Sequence, residues 1–235
     1  MQPVLFYGVP EGCSFGSIVA LEWLGVPYRL CRIRMPEQVS GEVFRAINPV
    51  GETPALLTSA GQLLAESMAI LNHLGVLGID KGLAYPQGSR GFDRLNAMLA
   101  FLNTSFFNAF SPLWHALEHG AEGIEKDVLT RYGREKVAKA HADLEAMLRG
   151  REWLLGDERT LADAYFIGIA RWAEVHDAID RRQFPGLDRL FRRLQEDPAV
   201  RFAQAIEHGE RAQGGGGFAG HVGLDDALRL VGHEA

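Results

Sequence analysis

Asn48-Pro-Val-Gly-Glu-Thr-Pro-Ala-Leu-Leu-Thr-Ser-Ala-Gly-Gln-Leu-Leu-Ala-Glu-Ser67 decides how this chain is read. An apolar strand begins directly after Pro54, turns near Gly61 and returns as a second strand into Glu66-Ser67. Proline has no N–H to give to a ladder, so Pro54 suits the first position of a strand. A Thr-Pro bond at such a place can be cis. The peptide groups of Thr53, just before the proline, can pair with an extended peptide-like ligand by strand addition. Glu66-Ser67 then opens a helix through Met68-Ala-Ile-Leu71, turning Ser67 Oγ and the first helical N–H groups outward as an anion site. A strand edge that reads backbone, beside a helix start that reads a carboxylate, fits a small acidic peptide.

Around this stretch the first ~80 residues alternate short strands and helices. Val4-Leu-Phe-Tyr7 is a buried strand by its apolar run. Ser14 to Leu24 has helical spacing and stops at Gly25, a C′ residue. Tyr28 to Ile33 reads as a second strand, followed by a short helix from Glu42 to Ile47. The hairpin 55–65 and a helix over 67–76 complete a β-α-β-α-β-β-α order. The Gly- and Pro-rich stretch from Gly78 to Gly91 marks a boundary. Beyond it the apolar period is helical: Leu95, Leu99, Leu102 and Phe106, then Val137, His141, Leu144 and Leu148. Thr160-Leu-Ala-Asp163 is a capping box that starts a helix apolar on most sides, hence the centre of this part. Gly214 to Gly217 reads as a flexible run, and the tail after it as a mobile end or a flap over an active site, with one weak helix at Leu224 to Val231.

The 235 residues allow one or two domains and a sizeable core. The composition, 47% apolar and 23% charged, is that of an ordinary globular protein. A net charge of -6 and a pI near 5.8 argue against a nucleic-acid partner. No apolar run approaches the ~20 residues of a membrane span, and no secretion signal opens the chain, so no membrane partner is expected. Cys13 and Cys31 have neither CxxC nor metal-ligand spacing, which suits a reducing cytoplasm and no metal. His115 and His119 stand at i and i+4 without a third ligand nearby.

Taken in order, Leu-Phe-Tyr7, Cys13-Ser14 at the first helix, Ile47-Asn-Pro-Val-Gly-Glu-Thr-Pro-Ala-Leu56, Glu66-Ser67 with Ala69-Ile70, and Thr160-Leu-Ala-Asp163-Ala-Tyr165 resemble the glutathione transferase family. The resemblance covers Val4 to about Glu207, and Cys-Ser at the first helix looks most like the bacterial beta class. It implies an α/β N-terminal thioredoxin-like domain over residues 1–78, with a mixed four-stranded sheet that binds glutathione. A linker over 79–91 follows, then an all-α helical domain over 92–210 that holds a small hydrophobic electrophile, and a Gly-rich C-terminal tail over 211–235. It also implies a cytoplasmic homodimer with a detoxifying role and glutathione as co-substrate. The beta class carries a His-Lys pair ahead of its Ser-Pro-Leu segment, whereas Phe107 and Asn108 precede Ser111-Pro-Leu here. A glutathione-dependent isomerase of the zeta kind and a non-catalytic stress adaptor share the fold. The first carries an arginine shortly after its serine, which Cys13-Ser-Phe-Gly16 lacks.

The chemistry asks the protein to ionise a thiol near neutral pH, where an ordinary thiol is only a few per cent thiolate. Cys13 and Ser14 stand where the first helix begins, at the positive end of its dipole. Ser14 can stabilise the thiolate of bound glutathione, or Cys13 can be the nucleophile and form a mixed disulfide with it. Lacking a resolving cysteine, the second route uses a second glutathione. Tyr7 is a third candidate, since other classes use a tyrosine at the end of the first strand, though its alternation with Phe6 also reads as core. Cys31 reads as inert packing. By resemblance, Thr53 pairs with the cysteinyl backbone of glutathione and Pro54 shapes that edge. Ser67 holds the γ-glutamyl carboxylate, Glu66 the γ-amino group, and Gln38 or Arg34 the glycyl carboxylate. Asn103 and Asn108 on the long helix, with Phe107 and Phe110, are the candidate electrophile pocket.

Overall fold

The computed structural model describes residues 1–231. The chain divides into two compact units, Met1–Leu83 with the segment from Glu196 onward, and Ala84–Gln195. In the first unit, β1 (Val4–Val9) leads through a tight loop into α1 (Phe15–Leu24), which ends at Gly25 with φ of 62°. That left-handed residue lets the Gly25 N–H return to the Leu21 carbonyl, as the sequence predicts for a helix stop. Then come β2 (Tyr28–Arg34), α2 (Glu42–Arg45), β3 (Ala55–Leu57), β4 (Leu63–Ala65) and α3 (Ser67–Leu77). Strands β1 and β2 are parallel, while β3 runs antiparallel to β1 and β4 antiparallel to β3. Every residue of β1 is buried because both of its faces are covered. Val4 and Phe6 pack with Cys31, Ile33 and Phe44 on one face. Leu5, Tyr7 and Leu30 are fully buried on the other. The expected linker holds a 3-10 turn at Ile79–Lys81 and ends where the next helix starts at Arg90.

The second unit is helical. Its elements are α4 (Arg90–Phe101), α5 (Ser111–Glu118), α6 (Gly123–Leu148), α7 (Leu161–Ala170), α8 (Trp172–Val175) and α9 (Pro185–Glu196). A six-residue π-helical segment, Leu102–Phe107, and a 3-10 turn, Asn108–Phe110, join α4 to α5. All ten residues of α7 are buried, so it is the centre of this unit as its apolar circumference predicts. Its capping box is formed: the Thr160 N–H donates to Asp163 Oδ2 at 2.8 Å, and the Leu154 N–H donates to Oδ1 at 3.0 Å. From α6, the Glu145 carboxylate accepts the N–H groups of Gly186 and Leu187, both at 2.8 Å, and so closes the start of α9.

The chain then returns to the first unit through α10 (Pro198–His208), which packs on α1 rather than joining the helical unit. Beyond it lies the largest departure from the sequence reading. The sheet has five strands, not four, in the order β4-β3-β1-β2-β5, because β5 (Phe218–His221) pairs parallel to β2. Helix α11 (Leu224–Val231), expected from the sequence, lays Leu224, Ala227 and Leu228 on the sheet face that carries Phe6 and Phe44. The glycine run lies against α1 and β2. A Cβ on Gly217 would stand 2.5 Å from the Val26 carbonyl oxygen, and one on Gly214 2.9 Å from the Glu22 carboxylate. That carboxylate accepts the Gly215 N–H and the Tyr28 hydroxyl. Glycine is needed here for close approach to α1 and β2.

Candidate functional site

The loop between β1 and α1 is compressed. A Cβ on Gly12 would lie 2.3 Å from the Gly8 carbonyl oxygen, so the chain folds back here only with glycine at position 12. The fold-back delivers Ser14 beneath the loop, where its Oγ accepts the Gly8 N–H at 3.1 Å. Ser14 has no exposed surface, whereas Cys13 beside it is half-buried. The carbonyl of Ser14 receives the N–H groups of Ser17 and Ile18, which begins α1 directly after the Cys13-Ser14 pair. Cys31 sits in the core of β2, and burial pushes its thiol up to about 12, so it stays protonated and unreactive.

The second wall comes from the loop ahead of β3. Thr53–Pro54 is cis and both residues are buried. Asn48 braces this loop: its amide donates to the Glu52 carbonyl at 2.7 Å, and its Oδ1 accepts the Val50 N–H at 3.2 Å. The Thr53 hydroxyl contacts Met35 Sδ at 3.6 Å, and a Cβ on Gly8 would collide with both. Gly8 therefore links the two walls, touching Thr53 and Met35 by close packing and Ser14 by hydrogen bond. Asn48, Met35 and Gly8 escape sequence reasoning as site residues; only the placement of Asn48 at the head of the Asn-Pro motif hints at a role.

At the third wall, Glu66 precedes α3 with φ of 71° and ψ of 125°, outside the ordinary regions for a residue with a Cβ. Such geometry costs of order 1–3 kcal/mol and collects at ligand-holding positions. Glu66 is exposed, and Ser67 starts the helix with 7% of its surface accessible. Gln38 Oε1 accepts the Arg34 N–H at 2.7 Å, so the two residues meet as one turn. Gln38 also borders a cavity of about 560 Å³ together with Asp225, Asp226 and Arg229 of α11.

Tyr7 is directed elsewhere. Its hydroxyl bonds His221 Nε2 of β5 at 3.0 Å, and burial raises its pKa while the Arg32 charge opposes the rise. In the helical unit, Phe110 is fully buried and meets Trp172 edge to face with ring centroids 5.7 Å apart. Phe107 is half-buried against Trp172, and the half-buried Asn103 accepts the Tyr165 hydroxyl at 2.6 Å. Asn108 is exposed and accepts the Ser111 hydroxyl. His115 and His119 stack at 4.2 Å, and no group of three potential metal ligands occurs among the described residues. No helix among the described residues is long and apolar enough to cross a membrane.

Comparison with known proteins bears on the fold of both units. The family model for the glutathione S-transferase N-terminal domain matches residues 13–76, and that for the C-terminal domain matches residues 94–198. Glutathione S-transferase GST-4.5 of Xanthomonas campestris pv. campestris is 30% identical over 206 residues, covering 86% of this chain and 97% of its own. GstA of Escherichia coli O157:H7 is 28% identical over 208 residues, covering 86% and 98%. A sphingomonad glutathione S-transferase solved in complex with glutathione superposes with a TM-score of 0.75 at 29% identity, covering 87% and 98%. The chain belongs to the glutathione S-transferase family.

Proposed function

We propose that this glutathione transferase works through Cys13, by thiol–disulfide transfer at the start of α1. What supports Cys13 over Ser14 is exposure: the Ser14 hydroxyl has no accessible surface and is held by the Gly8 N–H, while Cys13 reaches solvent. The N-terminus of α1 favours the thiolate at Cys13. That thiolate attacks the glutathionyl sulfur of a mixed disulfide, forming Cys13–S–S–glutathione and releasing the substrate thiolate. A second glutathione thiolate attacks the glutathionyl sulfur of this bond. Oxidised glutathione leaves, and Cys13 returns to the thiolate. Cys31, with its protonated buried thiol, takes no part.

Glutathione is assigned to the groove of the first unit. Thr53 pairs with its cysteinyl backbone at the edge shaped by Pro54, and Ser67 with the first N–H groups of α3 takes the γ-glutamyl carboxylate. Glu66 takes the γ-amino group, and the Arg34–Gln38 turn the glycyl carboxylate. In the helical unit, Asn103, Phe107 and Asn108 offer the surface for the second substrate, with Phe110 supporting them from the core. A cytoplasmic homodimer with a detoxifying role completes the reading, and sedimentation at micromolar concentration tests the dimer.

The test compares Cys13→Ala and Ser14→Ala in turnover of a glutathione mixed disulfide and of a model aryl halide. Loss of disulfide turnover by 100-fold or more (about 3 kcal/mol) in Cys13→Ala alone supports the assignment. Loss of aryl-halide conjugation in Ser14→Ala, with Cys13→Ala unaffected in both assays, overturns it.

A further inference from the structure

The tail does more than complete the sheet. With β2 and the end of α10 it lines a solvent-open cavity of about 680 Å³ bordered by Tyr7, Arg32, Ile206, Glu210, Arg211 and His221, among others. Cys13, Thr53, Glu66 and Ser67 are not among its walls. Both family models end by residue 198, so Glu210, Arg211 and His221 come from a part of the chain they do not match.

The charge of this cavity is uneven. Two guanidinium groups, Arg32 and Arg211, face one carboxylate, Glu210. Arg32 Nη1 and Nη2 donate to the carbonyl oxygens of Ile206 and Glu207 at 3.1 and 3.0 Å, which fixes the guanidinium plane beside the Tyr7 hydroxyl. Arg211 stands in no ion pair among the described residues. Burial and the Arg32 charge hold His221 below the ordinary imidazole range, so it is neutral at pH 7. The Tyr7 hydroxyl then donates to its Nε2. The charged walls thus carry one net positive charge, matched by a monoanion, and Ile206 and Val222 supply apolar surface beside it. Planar guanidinium forks suit a carboxylate.

We propose that this tail-built cavity is a second ligand site, which takes a small organic monocarboxylate with an apolar body and is separate from the glutathione groove. A carboxylate bound between Arg32 and Arg211 places negative charge beside His221, so occupancy raises the imidazole pKa and shifts its ring resonances.

The experiment follows the His221 ring by NMR in the full chain, with S-methylglutathione at saturation to fill the groove. Benzoate is the probe, benzamide the neutral control and inorganic phosphate the competing anion. The expected result is a saturable shift and a raised His221 pKa with benzoate only, and affinity weakened roughly tenfold in the exposed-residue variant Arg211→Gln. An unmoved His221, an equal response to benzamide or phosphate, or full affinity in Arg211→Gln overturns the proposal.

Discussion

The backbone N–H of Gly8 donates to the hydroxyl of Ser14 at 3.1 Å, and that bond turns the serine of the Cys13-Ser14 pair inward. With no accessible surface, Ser14 holds the β1–α1 loop closed and leaves the half-buried Cys13 as the more accessible member of the pair. Ser14→Ala strands a buried N–H, which costs about 1–3 kcal/mol. Urea denaturation is expected to show that loss. Disulfide turnover by the folded Ser14→Ala variant is expected to stay within about fivefold of the parent, since the hydroxyl has no accessible surface.

Glu66 predicts a trade between stability and binding. Glycine adopts φ of 71° without steric cost, so Glu66→Gly relieves backbone strain while it loosens the unfolded chain. The melting temperature is expected to hold or rise by a few degrees. Glutathione affinity is expected to fall roughly tenfold, because the carboxylate proposed to hold the γ-amino group is gone. Calorimetric titration and a thermal scan of the same sample check both. Unchanged affinity removes Glu66 from the site.

His141 makes the fold acid-sensitive. It is buried in the helical unit among Phe106, Phe110 and Phe184, and burial pulls its pKa down to about 4, with the Arg181 charge acting in the same direction. Its Nδ1 lies 2.8 Å from the Val137 carbonyl, so the neutral ring donates there. A pKa depressed in the fold gives stability that is present above the unfolded value of ~6.5 and lost as pH falls toward 4. The loss is of order 3 kcal/mol across that window. Urea midpoints between pH 7 and pH 4 are expected to fall in the parent and to flatten in His141→Leu, measured relative to its own value at pH 7.

The local signals in this sequence translate directly into structure. Gly25 ends α1, Pro54 precedes β3, Thr160 and Asp163 cap α7, and the apolar spacing at Leu224 to Val231 gives α11. Each is written within a few residues of where it acts. Strand β5 is not, because Phe-Ala-Gly-His is short and lacks alternation, and its partner β2 lies at the other end of the chain. The glycine run reads as flexible from composition, yet it serves contact with Glu22 and Val26, which only the fold brings near. The candidate site residues divide the same way. Thr53, Glu66 and Ser67 are visible in their motif, while Gly8 and Met35 join them only through the packing of separate loops. Phe110, an aromatic that the sequence leaves open between pocket wall and core, has no accessible surface and packs on Trp172.

Cys13 as the covalent centre is tested most directly by the mass of the intact chain after incubation with oxidised glutathione, followed by peptide mapping. One glutathionyl group on Cys13, released by added glutathione and absent from Cys13→Ala, is the expected result. A chain that stays unmodified, or one modified at Cys31 instead, contradicts the account.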